Sequence, residues 1–198
     1  MSTAMAISNP TEDEWKQPSR GMVGMACLIA AESAIFVIFV VAYIFYTGKS
    51  LNGPTPREVL ELPIFSTICL LSSSITVHFA VHDLRASRIG RFIAWLASTV
   101  LLGSIFIAST AAEWYKLIYH DGLTISTNLF GTTFYSLVGL HASHVIAGLI
   151  MLGLALILAI LGKVNAHHAE RLEVLSVYWH FVDAVWVVVF TVVYVLGR

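Results

Sequence analysis

The sequence predicts an all-α protein: a transmembrane bundle of five helices with a cytoplasmic N-terminus and an external C-terminus. Its 198 residues are 58% hydrophobic and only 12% charged, whereas soluble domains are about 25% charged. The mean hydropathy of +0.82 agrees with this class. Five apolar runs are each long enough to cross a hydrocarbon layer about 30 Å thick at about 1.5 Å per residue. They cover residues 21–46, 63–81, 92–112, 132–162 and 172–196.

Polar segments separate these runs and define the predicted domain organisation. Residues 1–20 form a polar tail with an acidic cluster, and they resemble neither a secretory signal nor an Arg-rich transit peptide. Residues 21–198 form one five-helix transmembrane domain without an internal repeat. A segment with two glycines and two prolines over 47–56 breaks the first helix from the second. The fourth run is longer than a membrane crossing needs, so we expect it to tilt or to extend past the surface.

The distribution of basic residues predicts the orientation. Five crossings place the termini on opposite sides. Seven basic residues lie on the N-terminal side: Lys16, Arg20, Arg85, Arg88, Arg91, Lys163 and Arg171. Four lie on the other side: Lys49, Arg57, Lys116 and Arg198. Because Lys and Arg are enriched in cytoplasmic loops, the N-terminus is expected in the cytoplasm.

Three ionisable residues inside the apolar runs are candidates for a proton-linked polar core. Glu32 lies roughly 17 Å from the start of the first run, and His180 and Asp183 lie roughly 12 Å and 17 Å into the fifth, at the helical rise. Both helices start on the same side, so a contact of Glu32 with His180, or of His180 with Asp183, is expected. Such groups in a membrane normally face a protein interior and have partners. Their depth leaves two interpretations open, a proton-linked site and a structural network that sets helix register.

The fourth run contains a second set of candidates for interhelical packing. Gly139, Ser143 and Ala147 form a stripe of small residues at four-residue spacing, a pattern that favours close approach of another helix. His141 and His144 lie one turn apart beside the stripe. Glu113 lies near the external end of the third helix, and the fourth helix starts from that same face. Glu113 is therefore expected to pair with His141 or His144. The hydroxyls of residues 72–74 and Thr76 can bond within their helix or to a neighbouring one.

A metal or haem site and several soluble functions are not expected in this chain. Two histidines at i and i+3 are too few, because metal sites generally need three or four ligands. The other candidate ligands lie at scattered depths: His78, His82, Glu113 and His180. His78, His82 and Asp83 are interpreted as a solvated helix end, and Cys27 and Cys69 as free thiols. The chain has no phosphate-binding glycine loop, no nucleophile elbow and no basic patch for nucleic acid.

Several segments in the right order carry a family resemblance. They are YWHFVDAVW at 178–186, FYSLVGLHASHV at 134–145, AES at 31–33, EW at 113–114 and LSSS at 71–74. With them the sequence resembles subunit III of haem-copper respiratory oxidases, and most of all the short five-helix bacterial form found in cytochrome c oxidase. The resemblance extends over nearly the whole chain beyond the N-terminal tail.

The resemblance implies a non-catalytic subunit of a translocase in the bacterial cytoplasmic membrane. In such enzymes aerobic electron transport reduces oxygen to water and is coupled to proton translocation. The haems and copper lie on subunits I and II, so this chain would bind no redox centre and would hold no catalytic residue. It would pack on subunit I, support assembly, proton uptake and turnover stability, and contact membrane lipids and bound phospholipid. Cytochrome c would donate electrons to the complex.

Other functions share part of this pattern. Subunit III of a quinol oxidase and an accessory subunit of nitric oxide reductase have the same five-helix form. A haem-binding membrane electron carrier would use the histidines, and a haem band in the isolated chain would identify it. A proton-coupled transporter is disfavoured because the chain shows neither inverted repeats nor paired Gly/Pro-broken helices.

Overall fold

The protein is an all-helical bundle in the computed structural model, which describes residues 19–49 and 53–197 but not the side chains of Arg57 and Glu58. Five described helices are long and apolar enough to cross a membrane, and no strand occurs in the described residues. This confirms the predicted fold class, whereas the direction in which the termini face stays a prediction. The helices are α1 (Arg20–Tyr46), the one-turn α2 (Pro56–Val59), α3 (Ile64–Arg85), α4 (Ile89–Tyr119), α5 (Leu129–Ile160) and α6 (Ala169–Phe190), which continues as a π-helix (Thr191–Leu196).

The helices and the predicted apolar runs differ mainly at their ends. Helix α4 continues seven residues past position 112, because its last turns are amphipathic and Lys116 there forms an ion pair with Glu61. Helix α3 continues four residues past position 81.

Apart from Ser19 and Arg20, the predicted polar tail lies outside the described residues, as do positions 50–52 of the first loop. Ser19 caps α1, since its hydroxyl accepts a hydrogen bond of 3.2 Å from the Met22 amide.

The ends of the later helices follow ordinary local rules. Asn128 begins α5 by accepting a 2.8 Å hydrogen bond from the Gly131 amide. The same helix ends before Gly162, whose φ of 69° favours glycine. Helices α3 and α4 form a hairpin through a turn in which Ser87 has a φ of 58°. The turn is short enough to hold the two helices side by side along their length.

Helix α6 lies at the centre of the packing and α1 at its edge. Helix α6 packs against α1, α3 and α5, while α4 packs against α3 and α5. In α1 only Phe36 and Tyr43 are fully buried, so most of its surface faces away from the bundle. An apolar helix with one thin buried stripe is exposed to lipid or to another membrane protein.

The side chain of Trp179 fills a space between its own helix, α6, and helices α3, α4 and α5. It comes from α6, is 0% exposed, and its indole N–H donates a 2.8 Å hydrogen bond to the hydroxyl of Ser73 on α3. Its ring lies against Gly103 of α4 and Gly148 of α5. A Cβ at Gly103 would be 2.9 Å from the ring and one at Gly148 would be 2.7 Å from it. Both positions therefore require glycine.

We expect Gly148→Ala to destabilise the bundle, because the added methyl group overlaps the Trp179 ring. Overpacking of a tight core costs about 1–3 kcal/mol. The measurement is the midpoint of denaturant unfolding of the purified protein in mild detergent. Gly153→Ala is the matched control on the same helix, since a Cβ at Gly153 meets nothing within 4 Å. Equal midpoints for the two variants would contradict the packing role of Gly148.

Candidate functional site

Glu32 of α1 has a different partner from the one expected. Its Oε2 lies 3.2 Å from Nε2 of His144 on α5. The expected contact with His180 is wrong, because His180 lies on the face of α6 that meets α3. Both side chains of the observed pair are largely buried, with 25% of Glu32 and 15% of His144 exposed. The centroid of the Phe36 ring lies 5.0 Å from that of the His144 ring, and the Phe181 ring lies 6.3 Å from the Phe36 ring, so apolar rings cover one side of the pair.

The other ring nitrogen of His144 determines how many protons this pair holds. Nδ1 lies 2.8 Å from the backbone carbonyl oxygen of Leu140. A carbonyl oxygen can only accept, so Nδ1 carries a hydrogen. The contact between Nε2 and Oε2 then requires one proton between them, either as imidazolium with carboxylate or as neutral imidazole with carboxylic acid. In both forms the pair has no net charge, which is the form that a low-dielectric interior tolerates.

His180 and Asp183 meet α3 through a third residue. The hydroxyl of Ser74 donates to Oδ2 of Asp183, and Nδ1 of His180 lies 3.0 Å from the same hydroxyl oxygen. The expected direct contact between His180 and Asp183 is therefore replaced by a bridge through Ser74. Asp183 is only 4% exposed, and its Oδ1 has no hydrogen-bond partner in the described part of the chain. His180 lies on the outer surface of the bundle, so the bridge connects a buried carboxyl group with that surface.

Glu113 pairs with Tyr194 rather than with a histidine. The Tyr194 hydroxyl lies 3.0 Å from Oε1 and 3.1 Å from Oε2 of Glu113. The expected ion pair of Glu113 with His141 or His144 is wrong, because both histidines lie deeper in the bundle. Glu113 also lines a surface pocket of about 250 Å³ next to the Lys116–Glu61 ion pair. The hydrogen bond between Tyr194 and Glu113 fixes the C-terminal end of the last helix against α4.

His141 packs as an aromatic ring. Only 1% of it is exposed, and neither ring nitrogen has a hydrogen-bond partner among the described residues. Its ring stacks on Trp186 with centroids 5.0 Å apart and an interplanar angle of 27°, and it meets the edge of Phe106 at 5.8 Å. The Trp186 indole N–H is itself fixed by a 3.1 Å hydrogen bond to Thr67. His141 thus contributes to the same aromatic core as the last helix.

The predicted stripe of small residues divides between two surfaces. Gly139 lies against Trp114, since a Cβ there would be 3.4 Å from the indole ring. Ser143 and Ala147 are exposed on the outer face of α5, where no other described residue covers them. The tight contact of α5 with α6 lies instead at Gly148, against the Trp179 ring, and the four-residue spacing did not include this glycine.

An ionic cluster at the α3–α4 turn was missed. Asp83 is 2% exposed, so its interpretation as part of a solvated helix end is wrong. Its carboxylate accepts a 3.2 Å hydrogen bond from the Trp95 indole and lies 3.3 Å from Arg91 and 3.5 Å from Arg88. The signal available in the sequence was one acid followed within twelve residues by three arginines and a tryptophan. A buried carboxylate with several donors is a satisfied structural anchor for the turn.

These groups form separate clusters with different chemical capacities. The Glu32–His144 pair can hold one proton on either partner. In the His180–Ser74–Asp183 bridge, the Ser74 hydroxyl donates to Asp183 and its oxygen can accept from Nδ1 of His180. No three His, Cys, Asp or Glu side chains come together as a metal-binding group within residues 19–49 and 53–197. The absence of a metal from the functioning chain stays a prediction.

We expect Ser74→Ala to destabilise the protein, because it removes the observed hydrogen bond to a buried carboxyl group. Leaving such a group unpaired costs about 1–3 kcal/mol. Denaturant unfolding measures the loss. The matched control is Ser72→Ala, two positions away, whose hydroxyl makes no hydrogen bond within the described chain. Asp183→Asn, which can still accept from Ser74, should lose less than Ser74→Ala. A larger loss in Asp183→Asn would show that the ionised carboxylate itself is needed.

Comparisons with known proteins agree with the resemblance inferred from the motifs. The family model for cytochrome c oxidase subunit III matches residues 19–198. The chain is 33% identical over 177 residues to cytochrome c oxidase subunit 3 of Bacillus sp. (strain PS3), covering 88% of this chain and 85% of that protein. It is 36% identical over 188 residues to cytochrome c oxidase subunit 3 of Synechocystis sp., covering 90% and 77%.

A relative with a different electron donor in its name is equally similar. Cytochrome bo(3) ubiquinol oxidase subunit 3 of Pseudomonas aeruginosa is 34% identical over 176 residues, covering 88% of this chain and 84% of that protein. The match to the family covers every described helix, including the segments that hold Glu32, His144, Ser74 and Asp183. This chain belongs to the cytochrome c oxidase subunit III family.

Proposed function

We propose that this multi-pass membrane protein supports the catalytic subunit of a haem-copper oxidase in the bacterial cytoplasmic membrane. The family makes it subunit III of such an oxidoreductase complex. In the proposal, the complex reduces oxygen to water and translocates protons, while this chain holds no catalytic centre. Its part is to aid assembly, proton uptake and stability during turnover.

The Glu32–His144 pair is the observation that carries the proposal. A carboxyl group and an imidazole share one proton about 18 Å from the start of α1, counted over twelve residues at the helical rise. Intramembrane carboxyl groups are expensive and usually functional. Because the proton can lie on either partner without a change in net charge, the pair can remain inside the bundle while the catalytic subunit exchanges protons nearby.

The proposed partners are subunits I and II, which would carry the haems and copper, together with membrane lipids and bound phospholipid. Most of the surface of α1 and the outer face of α5 at Ser143 and Ala147 are free of contacts with the rest of the described chain. A second polypeptide can therefore pack there without displacing any helix. The engagement of His141 by Trp186 and of His144 by Glu32 and Leu140 also argues against a haem-carrying role for these two histidines.

Cytochrome c is the proposed electron donor of the complex, and quinol is the second candidate. The reason for keeping the second is specific: the relatives named for cytochrome c and for ubiquinol are 33% and 34% identical to this chain over nearly the same length. The donor would bind to another subunit, so residues of this chain do not select it.

We expect a tagged chain, purified in mild detergent, to bring with it subunits that carry haem and copper. Oxygen uptake by that complex should be driven by reduced cytochrome c. A higher rate with quinol would replace the first candidate by the second. A reduced-minus-oxidised spectrum of the separated chain should show no haem band, and a band there would contradict the non-catalytic role.

Two substitutions of Glu32 separate a proton-linked role from a structural one. Glu32→Gln keeps a hydrogen-bond donor for Nε2 of neutral His144. Glu32→Ala leaves this nitrogen without a partner, which costs about 1–3 kcal/mol of stability. We expect both variants to retain the haem spectra of the complex and both to inactivate faster than the wild type during turnover, because neither holds an exchangeable carboxyl proton. The measurement is oxygen uptake followed until activity is lost.

Ser33→Ala is the matched control for these variants, since within the described residues the Ser33 hydroxyl bonds only to the Ile29 carbonyl of its own helix. Wild-type behaviour of Glu32→Gln, with loss only in Glu32→Ala, would show that the residue is structural.

A further inference from the structure

The polar tail before α1 carries an acidic cluster that the proposed function does not use. The cluster occupies positions 12–14 (EDE), and it lies outside the described residues. Its sequence context is specific: the apolar residues Met5 and Ile7 come before it, and Lys16 is the only basic residue among positions 1–18. Three acids and one lysine give the side chains of this segment a formal net charge of −2.

A groove between α4, α5 and α6 opens at the end of the bundle where α1 begins. It has a volume of about 350 Å³, within the range of about 300–1,000 Å³ typical of ligand pockets. Its floor is apolar and buried, formed by Leu84, Phe92 and Leu172. Leu158, near the end of α5, lines the groove and is 43% exposed. The described residues therefore leave part of this apolar surface uncovered.

The rim of the groove holds two cations. Lys163, in the α5–α6 connection, and Arg171, near the start of α6, both line it and are exposed. Neither forms an ion pair with another described residue, whereas the arginines near the α3–α4 turn are paired with Asp83 or Glu173. Glu170 precedes Arg171 but does not line the groove. The described acids at this end of the bundle thus leave the rim positively charged.

The start of α1 lies within reach of the rim. Gly21 packs on α6, since a Cβ there would be 3.4 Å from Val174, and Arg171 lies one turn before Val174. Positions 12–14 precede Ser19 by five to seven residues, which an extended chain spans over about 16–23 Å. A helix with its side chains is only about 10–12 Å across. The acids can therefore reach the rim, and the apolar residues before them can reach the groove.

We propose that the N-terminal tail of this chain binds across its own bundle, with residues 12–14 paired to Lys163 and Arg171 and with Ile7 covering Leu158 at the mouth of the groove. Charge complementarity selects this occupant, because a segment of charge −2 is tethered beside two cations that have no described partner. The order along the chain also matches, since the acids lie nearer to α1 and the apolar residues lie beyond them.

The bound tail would tie α1, the edge helix of the bundle, to the connection between α5 and α6. Its ion pairs lie at the surface, so salt should weaken the contact. The proposal goes beyond the oxidase function and stands separately from it, because its tests locate the tail and do not measure oxygen uptake.

The first test measures trypsin cleavage after Lys16 in the purified full-length protein, together with the subunits that accompany it. Cleavage should be slow at low salt and faster in about 0.5 M sodium chloride, since salt screens exposed charges. Lys163→Gln and Arg171→Gln should each speed the low-salt reaction about threefold, the share of one exposed ion pair. Neither changes the sequence around the cleaved bond. Arg20→Gln is the control, because Arg20 lies closer to the acids in sequence but outside the groove.

The second test locates the tail by cross-linking. A photoreactive benzophenone amino acid in place of Ile7 should attach to the peptide that contains Leu158 and Lys163. Asp13→Lys should lower the yield about fivefold, and Arg171→Glu in the same chain should restore it, because the exchange brings opposite charges together again.

Three results would overturn the proposal in these experiments: cleavage that does not respond to salt, an equal effect of Arg20→Gln, or a charge exchange that fails to restore the cross-link. Adducts confined to lipid or to an accompanying subunit would overturn it as well, because the tail would then lie elsewhere.

Discussion

The bundle depends on the close contact between Trp179 and two glycines. The largest side chain type occupies the space left by the smallest, so α6 can approach α4 and α5 at once, and the indole N–H joins the same residue to Ser73 of α3. Without a hydrophobic force between helices in lipid, packing and interhelical hydrogen bonds must hold them. Trp179 supplies both at one point, and this explains why a single residue of the last helix can position three others.

Different faces of helix α6 contact different neighbouring helices. Trp179, Asp183 and Trp186 hydrogen-bond to hydroxyls of α3, at Ser73, Ser74 and Thr67 respectively. Tyr178 reaches across to α5, where its hydroxyl donates to the His144 carbonyl at 3.2 Å. The polar groups of α6 therefore act as fixed points between apolar surfaces. They set the register of the helices around the Glu32–His144 pair.

The sequence determined the helix count and the depth of each polar group but left their direction open. Apolar length and rise per residue place Glu32, His180 and Asp183 at similar levels, and that depth alone suggested a shared core. Each residue also turns about 100° around its helix, so neighbours in depth can face opposite ways, as His180 and Glu32 do. Asp83 was misassigned for another reason. The apolar run ended at position 81, so the next acid was placed in water, whereas the arginines that bind its carboxylate lie in the α3–α4 turn (Arg88) and in α4 (Arg91).

The hydrogen bond between His144 and the Leu140 carbonyl restricts how protons can move through this chain. A histidine relays protons by accepting on one ring nitrogen and releasing from the other. Here Nδ1 is bound to a peptide oxygen, which does not take up the proton, and this hydrogen bond fixes the ring. A proton that reaches His144 from Glu32 therefore returns through the same ring nitrogen, Nε2. In the proposed role, His144 would hold a proton for Glu32 and would not pass it on to another helix.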